Sequence, residues 1–236
     1  MTDTMLSESL ASARRRLSEA LAAAGRPADA ARLLAVSKTK PAGMVREAWQ
    51  LGQREFGENY VQEALEKQVE LADLDDIVWH FIGPLQANKT RAVAESFDWV
   101  HSVDREKIAR RLNDQRPEGL GPLEICLQVN VSDEASKSGV AFEELEDLAK
   151  AVLSMPRLRL RGLMAIPAPA ADLASQRAPL ARLRQALETL RQRFPEARLD
   201  TLSMGMSDDL EAAVLEGATL VRLGTAIFGA RSSSHH

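Results

Sequence analysis

The chain has 236 residues, 45% of them hydrophobic and 27% charged, the balance of a packed globular core rather than of a disordered segment. A formal net charge of −4 and only 4% aromatic residues argue against a nucleic-acid or anionic-membrane binder, which needs basic surface and stacking side chains. No run approaches the ~18 apolar residues of a membrane span, and no signal-peptide core is present. The single cysteine cannot form an internal disulfide, so a soluble protein of the reducing cytoplasm is expected.

Short β-rich runs alternate with amphipathic helical segments. A leading helix is expected over about Met5–Ala24, with the basic run Arg14-Arg15-Arg16 read as its solvated face. Leu33–Ser37 is the first strand, and Pro41 opens a helix through Leu51, since proline suits a first helical turn. Arg54–Glu58 is a less marked second strand, followed by a helix over Val61–Leu71. Ile77–Ile82 forms the third strand, closed by Gly83-Pro84, and a helix over Gln86–Ser96 leads to the fourth, Trp99–Val103. Asp104 reads as the N-cap of a helix reaching Asn113.

Leu123–Val131 is the fifth strand, Phe142–Leu153 a helix and Leu160–Ile166 the sixth strand. A helix over Leu180–Phe194 precedes the seventh strand, Leu199–Ser203. Asp208–Leu215 is helical, Thr219–Leu223 is the eighth strand, and Thr225–Ala230 is a closing helical turn. Strict alternation argues for a parallel sheet, and about eight units close into a (β/α)8 TIM-type barrel with an additional N-terminal helix. A doubly wound open sheet would need a topological switch and usually has fewer units. No linker divides the chain, so residues 1–231 are expected to form one barrel domain. The tail, 232–236, carries no pattern and is read as disordered or tag-derived.

In such a barrel, chemistry collects at the strand C-termini. The alternation of the first strand puts Leu34, Val36 and Lys38 on one face, which predicts a partly desolvated amine able to attack an aldehyde. A lysine snorkelling at a strand end is the plain alternative. Ser203-Met204-Gly205-Met206-Ser207 and Arg222-Leu223-Gly224-Thr225 end strands seven and eight, where barrels often bind phosphate. Glycines that merely end strands, with Ser207 capping a helix, would read the same way. A phosphate cup opposite a strand-end lysine is the layout of a lysine-linked pyridoxal phosphate. His80 and His101 lie within strands with no carboxylate or cysteine at ligand spacing, so they read as core or rim residues, and no metal site is expected. Cys126 reads as a small buried hydrophobe.

Seven motifs, in order over nearly the whole chain, carry a resemblance. They are Leu34–Pro41 (LAVSKTKP), Phe56–Tyr60 (FGENY), Trp79–Gln86 (WHFIGPLQ), Ser136–Gly139 (SKSG), Arg161–Pro167 (RGLMAIP), Ser203–Asp209 (SMGMSDD) and Val221–Gly229 (VRLGTAIFG). In these the chain resembles the pyridoxal phosphate homeostasis protein family, itself similar to the barrel domain of alanine racemase. The resemblance implies pyridoxal phosphate as cofactor, with Lys38 as the Schiff-base lysine. It places the phosphate on Ser207, Gly224 and Thr225 with Ser203 nearby, and Arg222 against the pyridine nitrogen. Asn59 would line the ring's surroundings, Met204 would pack near it, and Lys137 would serve as a secondary loop residue. Intracellular vitamin B6 homeostasis is implied, by buffering the cofactor or delivering it to transient apo-enzyme acceptors, from a monomer or a weak dimer.

An amino acid racemase and a sugar-phosphate-binding barrel are the alternatives. A racemase needs a second acid/base group opposite the lysine, and tyrosine is the usual partner in the racemase relatives. This chain has one tyrosine, Tyr60, which also reads as a plain amphipathic residue at a helix start. Arg222 stays charged and donates, which disfavours protonating the ring nitrogen and makes a poorer electron sink. The expectation is therefore a carrier without catalytic turnover.

Overall fold

The computed structural model describes residues 2–134 and 138–230. Strands β1 (Arg32–Val36), β2 (Glu55–Glu58), β3 (Val78–Phe81) and β4 (Trp99–Val103) pair in parallel in chain order with β5 (Leu123–Gln128), β6 (Leu158–Met164), β7 (Thr201–Ser203) and β8 (Leu220–Leu223). The sheet closes where β8 pairs with β1, Arg32 against Leu220 and Ala35 against Leu223. Helix α1 (Thr2–Ala23) precedes the barrel. Around it run α2 (Ala42–Gln50), α3 (Val61–Glu70), α4 (Thr90–Ser96), α5 (Glu106–Gln115), α6 (Phe142–Leu153), α7 (Leu173–Arg193), α8 (Leu210–Leu215) and α9 (Thr225–Phe228). Among the described residues no helix is long and apolar enough to cross a membrane.

Strand alternation divides the side chains between two environments. Outward residues such as Leu33, Ala35, Phe56, Val100 and Leu163 join helix residues such as Val45 and Leu183 in one continuous core. Inward positions instead form two small apolar clusters, Leu34 with Val36 and Ile82, and Trp99 with Cys126 and Met164. Polar side chains fill the space between them. Cys126 is fully buried there, and burial pushes its thiol up to about 12.

Four expectations are corrected. Helix α7 starts at Leu173, seven residues before the expected Leu180, with Pro179 inside it. Asp172 makes that start: one carboxylate oxygen accepts from the Ser175 amide and the other from its hydroxyl, both at 2.8 Å. Asp104 does not cap α5, whose N-cap is Arg105; its carboxylate instead accepts from the Gly139 amide at 3.3 Å. β5 ends at Gln128, and Val129 makes only an isolated bridge to Val140. The run Arg14-Arg15-Arg16 is not simply solvated. Arg14 donates to the Leu51 carbonyl at 3.0 Å, and Arg16 pairs with Glu211 at 2.9 Å, so two of the three fasten α1 to the barrel.

Candidate functional site

A cavity of about 370 Å³ opens beyond the C-terminal ends of the strands. It gathers six of the predicted residues, Lys38, Asn59, Ser207, Arg222, Gly224 and Thr225, from four separate strand ends. Val36 and Ile82, both buried, supply an apolar wall. Ile166 and Met206 stand about half exposed at its mouth, 48% and 44%.

Lys38 reaches this cavity because β1 stops at Val36 and the chain turns: the Lys40 amide donates to the Ser37 carbonyl, and Thr39 adopts φ 64°. A left-handed threonine is uncommon and marks a locally enforced turn. Leu34 and Val36 are buried on the lumen side as expected, but Lys38 is exposed. Lys38 therefore stands nearer solvent than the alternation suggested, since strand phase sets a face and not a depth. Among the described residues Lys38 has no hydrogen bond or ion pair, whereas its neighbours are engaged. Lys40 donates to the Ala230 carbonyl at 2.8 Å, and Lys67 is buried in an ion pair.

That buried pair holds the turn from behind. Lys67 on α3 donates to the Ser37 carbonyl at 2.6 Å and to both Glu58 oxygens at 2.9 and 3.1 Å. The Ser37 hydroxyl donates to Glu58 at 2.6 Å. Burial raises the Glu58 carboxyl against the pull of Lys67. Removing one member would strand a buried charge, which costs about 3–5 kcal/mol. The sequence reading missed this trio. Its signal is a lysine at a core position of an amphipathic helix, three residues after the buried Ala64.

Two strands round the barrel from Lys38, the loop after β7 brings Ser207 to the wall. Gly205 makes the bend at φ 104°, where an added Cβ would lie 2.7 Å from that of Ala213. Arg16 crosses from α1 to donate to the Ser207 carbonyl at 2.6 Å and pairs with Glu211, placing a cation behind the loop. Asp209 is turned inward, accepting from the Met206 amide at 2.8 Å, while Asp208 is exposed at the cavity. Asn59 is fitted against Gly83, where a Cβ would come 2.4 Å from the Asn59 carbonyl oxygen. The Asn59 side-chain oxygen is buried without a hydrogen-bond partner.

Ser203 and Met204 do not line the cavity. Ser203 is fully buried in the lumen, accepting from Arg222 Nη1 at 2.6 Å and bonded to His101 Nδ1 at 2.8 Å. Met204, the next residue along the chain, therefore faces outward into the core between sheet and helices. Lys137 lies outside the described residues. Arg222 is buried, 4% exposed, and its Nη2 also donates to the Ala165 carbonyl at 3.0 Å. Burial draws its guanidinium down to about 10, still charged at neutral pH.

The family model described as "Alanine racemase, N-terminal domain" matches residues 9–232. A pyridoxal phosphate homeostasis protein of Pseudomonas aeruginosa is 64% identical over 226 residues, 96% of this chain and 96% of that one. The chain belongs to the pyridoxal phosphate homeostasis protein family. The Escherichia coli K12 protein of that name is 53% identical over 231 residues, 97% of this chain and 98% of that one. Among solved structures, PipY of Synechococcus elongatus with pyridoxal phosphate bound is 41% identical, with a TM-score of 0.84, over 95% of this chain and 100% of that one. The eight-stranded parallel barrel expected for the family is the fold found here.

Proposed function

We propose that this protein binds pyridoxal phosphate in the cavity at the strand ends, anchors it covalently on Lys38, and buffers or delivers it without catalytic turnover. The observation that carries the proposal is Lys38 itself, a lysine without a partner among the described residues in a cavity that Ser207 and Thr225 also line, with the neighbouring lysines already engaged. The residues present fit the group. Val36 and Ile82 offer an apolar face to a ring, Asn59 a buried acceptor without a partner, and Ser207 and Thr225 hydroxyl donors to a phosphate. When bound, the cofactor supplies an aldehyde that an amine can hold as a Schiff base.

The remaining chemistry belongs to the chain. Arg222 keeps its charge at neutral pH and donates into the cavity, so a facing ring nitrogen stays an acceptor and the ring a poor electron sink. No histidine or tyrosine lines the cavity among the described residues, and Tyr60 is 51% exposed at the N-cap of α3. The one carboxylate on the wall, Asp208, is exposed on the same side as Ser207, so the imidazole or phenol that would serve as Lys38's partner in two-sided proton transfer is not among the described lining residues. The relatives' name, homeostasis protein, agrees with holding rather than converting.

Titration with pyridoxal phosphate should turn the wild-type protein yellow, and Lys38→Ala should lose the colour while keeping its fold by circular dichroism. A wild type that stays colourless contradicts the proposal, as does a sugar phosphate bound in its place. Exchange of the alanine α-proton in deuterium oxide tests turnover. No exchange above free cofactor is expected, and rapid exchange abolished by Lys38→Ala would establish a racemase instead.

A further inference from the structure

Below the cavity, five side chains from five strands form one file through the lumen. Arg222 Nη1 meets Ser203 Oγ at 2.6 Å, Ser203 Oγ meets His101 Nδ1 at 2.8 Å, and His101 Nε2 meets His80 Nδ1 at 2.8 Å. His80 Nε2 then meets Glu55 Oε1 at 3.0 Å, and the other Glu55 oxygen pairs with Arg32 at 2.5 Å. Both histidines and Ser203 are fully buried. Trp99 closes the side of the file, stacked on His80 with ring centroids 5.2 Å apart.

Donor counting leaves one arrangement of protons. Arginine only donates, so Ser203 must accept from it and has one proton of its own to place. If His101 donated to Ser203, that hydroxyl proton would have no acceptor among the described residues, a costly outcome at a buried site. Ser203 therefore donates to His101 Nδ1, which makes His101 the Nε2–H tautomer, donating to His80 Nδ1. His80 in turn is the Nε2–H tautomer and donates to Glu55. The electrostatics agree. Burial lowers both imidazoles, His101 well below the usual value, so both stay neutral. Glu55 is an ionised acceptor: burial works against it, but the bonds from His80 and Arg32 and the Arg32 charge hold its carboxyl below the usual carboxylate range.

We propose that Ser203, His101, His80 and Glu55 are positioning residues for Arg222: a one-way file of donated protons, running from the cavity wall to the opposite rim, that fixes the guanidinium fork toward the ligand. Two Arg222 donors are taken by Ser203 and Ala165, and among the described residues the remaining N–H groups have no partner and are left for the cavity that Arg222 lines. Aligned donors polarise one another, and the file ends on a carboxylate, so the arrangement favours a stationary charge on Arg222. The role toward a ligand ring rests on the function proposed above; the proton order does not.

Nitrogen-15 NMR of the ligand-free, histidine-labelled chain tests that order directly. Both His80 and His101 should show a protonated Nε2 and a bare Nδ1 at neutral pH. An Nδ1–H tautomer or an imidazolium at either position overturns the proposal. In the cofactor-loaded protein, Ser203→Ala should weaken binding about tenfold and shift the visible absorption maximum, while borohydride still fixes the cofactor to Lys38. A folded Ser203→Ala protein with unchanged affinity and spectrum also overturns it; should that variant not fold, the wild-type tautomers decide alone. A wild type that takes up no cofactor defeats the functional reading and leaves the tautomer result standing.

Discussion

The two faces of the barrel sheet solve burial differently. Outward, Leu33, Phe56 and Val100 meet the helices through apolar surface alone. Inward, the alternate positions of the barrel strands hold Glu55, His80, His101, Ser203 and Arg222, joined by hydrogen bonds and capped by small apolar clusters. Apolar packing is non-directional and tolerates swaps that conserve volume. A buried polar file is directional: each member is committed by donor and acceptor geometry, and removing one strands its neighbours. The outer face therefore contributes stability without direction, and the inner face commits its side chains to fixed orientations.

The largest effect that separates the two is on the outer face. Leu183→Ala on α7, at a fully buried site, should cost about 2–5 kcal/mol in urea unfolding. Cofactor affinity, measured well below the unfolding midpoint, should not change; a large loss of affinity would mean that the faces are coupled.

The inner face should show itself in acid. Folding holds Glu55 near 2, below the usual 4.5, so it favours the carboxylate. That stabilisation is complete above the unfolded value and disappears as pH falls from about 4.5 toward about 2. Glu55→Gln should lack this share of the acid sensitivity. Identical stability–pH curves for the two proteins would count against the ionised file end. The smallest effect separates neighbours in the α1 run. Arg16→Ala should weaken cofactor binding several-fold through the Ser207 loop, whereas Arg15→Ala, which removes an exposed side chain without a partner among the described residues, should leave it unchanged.

The outer face was the more legible in sequence. Short β-rich runs such as Leu33–Val36 and Trp99–Val103, alternating with amphipathic helical segments such as Phe142–Leu153, located every strand and nearly every helix. Misplaced boundaries had local causes, such as the Asp172 cap that carries α7 past Pro179. The motifs brought Lys38, Asn59, Ser207, Arg222, Gly224 and Thr225 to one cavity, because strand-end residues converge once the barrel closes. What strand phase could not convey was depth: Lys38 is more exposed, and Ser203 deeper, than expected. The histidine pair was hidden for another reason. His80 sits opposite Trp99 in the β3–β4 register, so His101, two residues further on, meets it only after the sheet has formed.

Borohydride reduction of the cofactor-loaded protein, followed by mass mapping of its peptides, tests the central claim most directly. The account predicts a single reduced adduct on Lys38, the lysine that the Ser37 turn presents to the cavity without a partner among the described residues. An adduct on Lys40, Lys67 or Lys137 with Lys38 unmodified would contradict it.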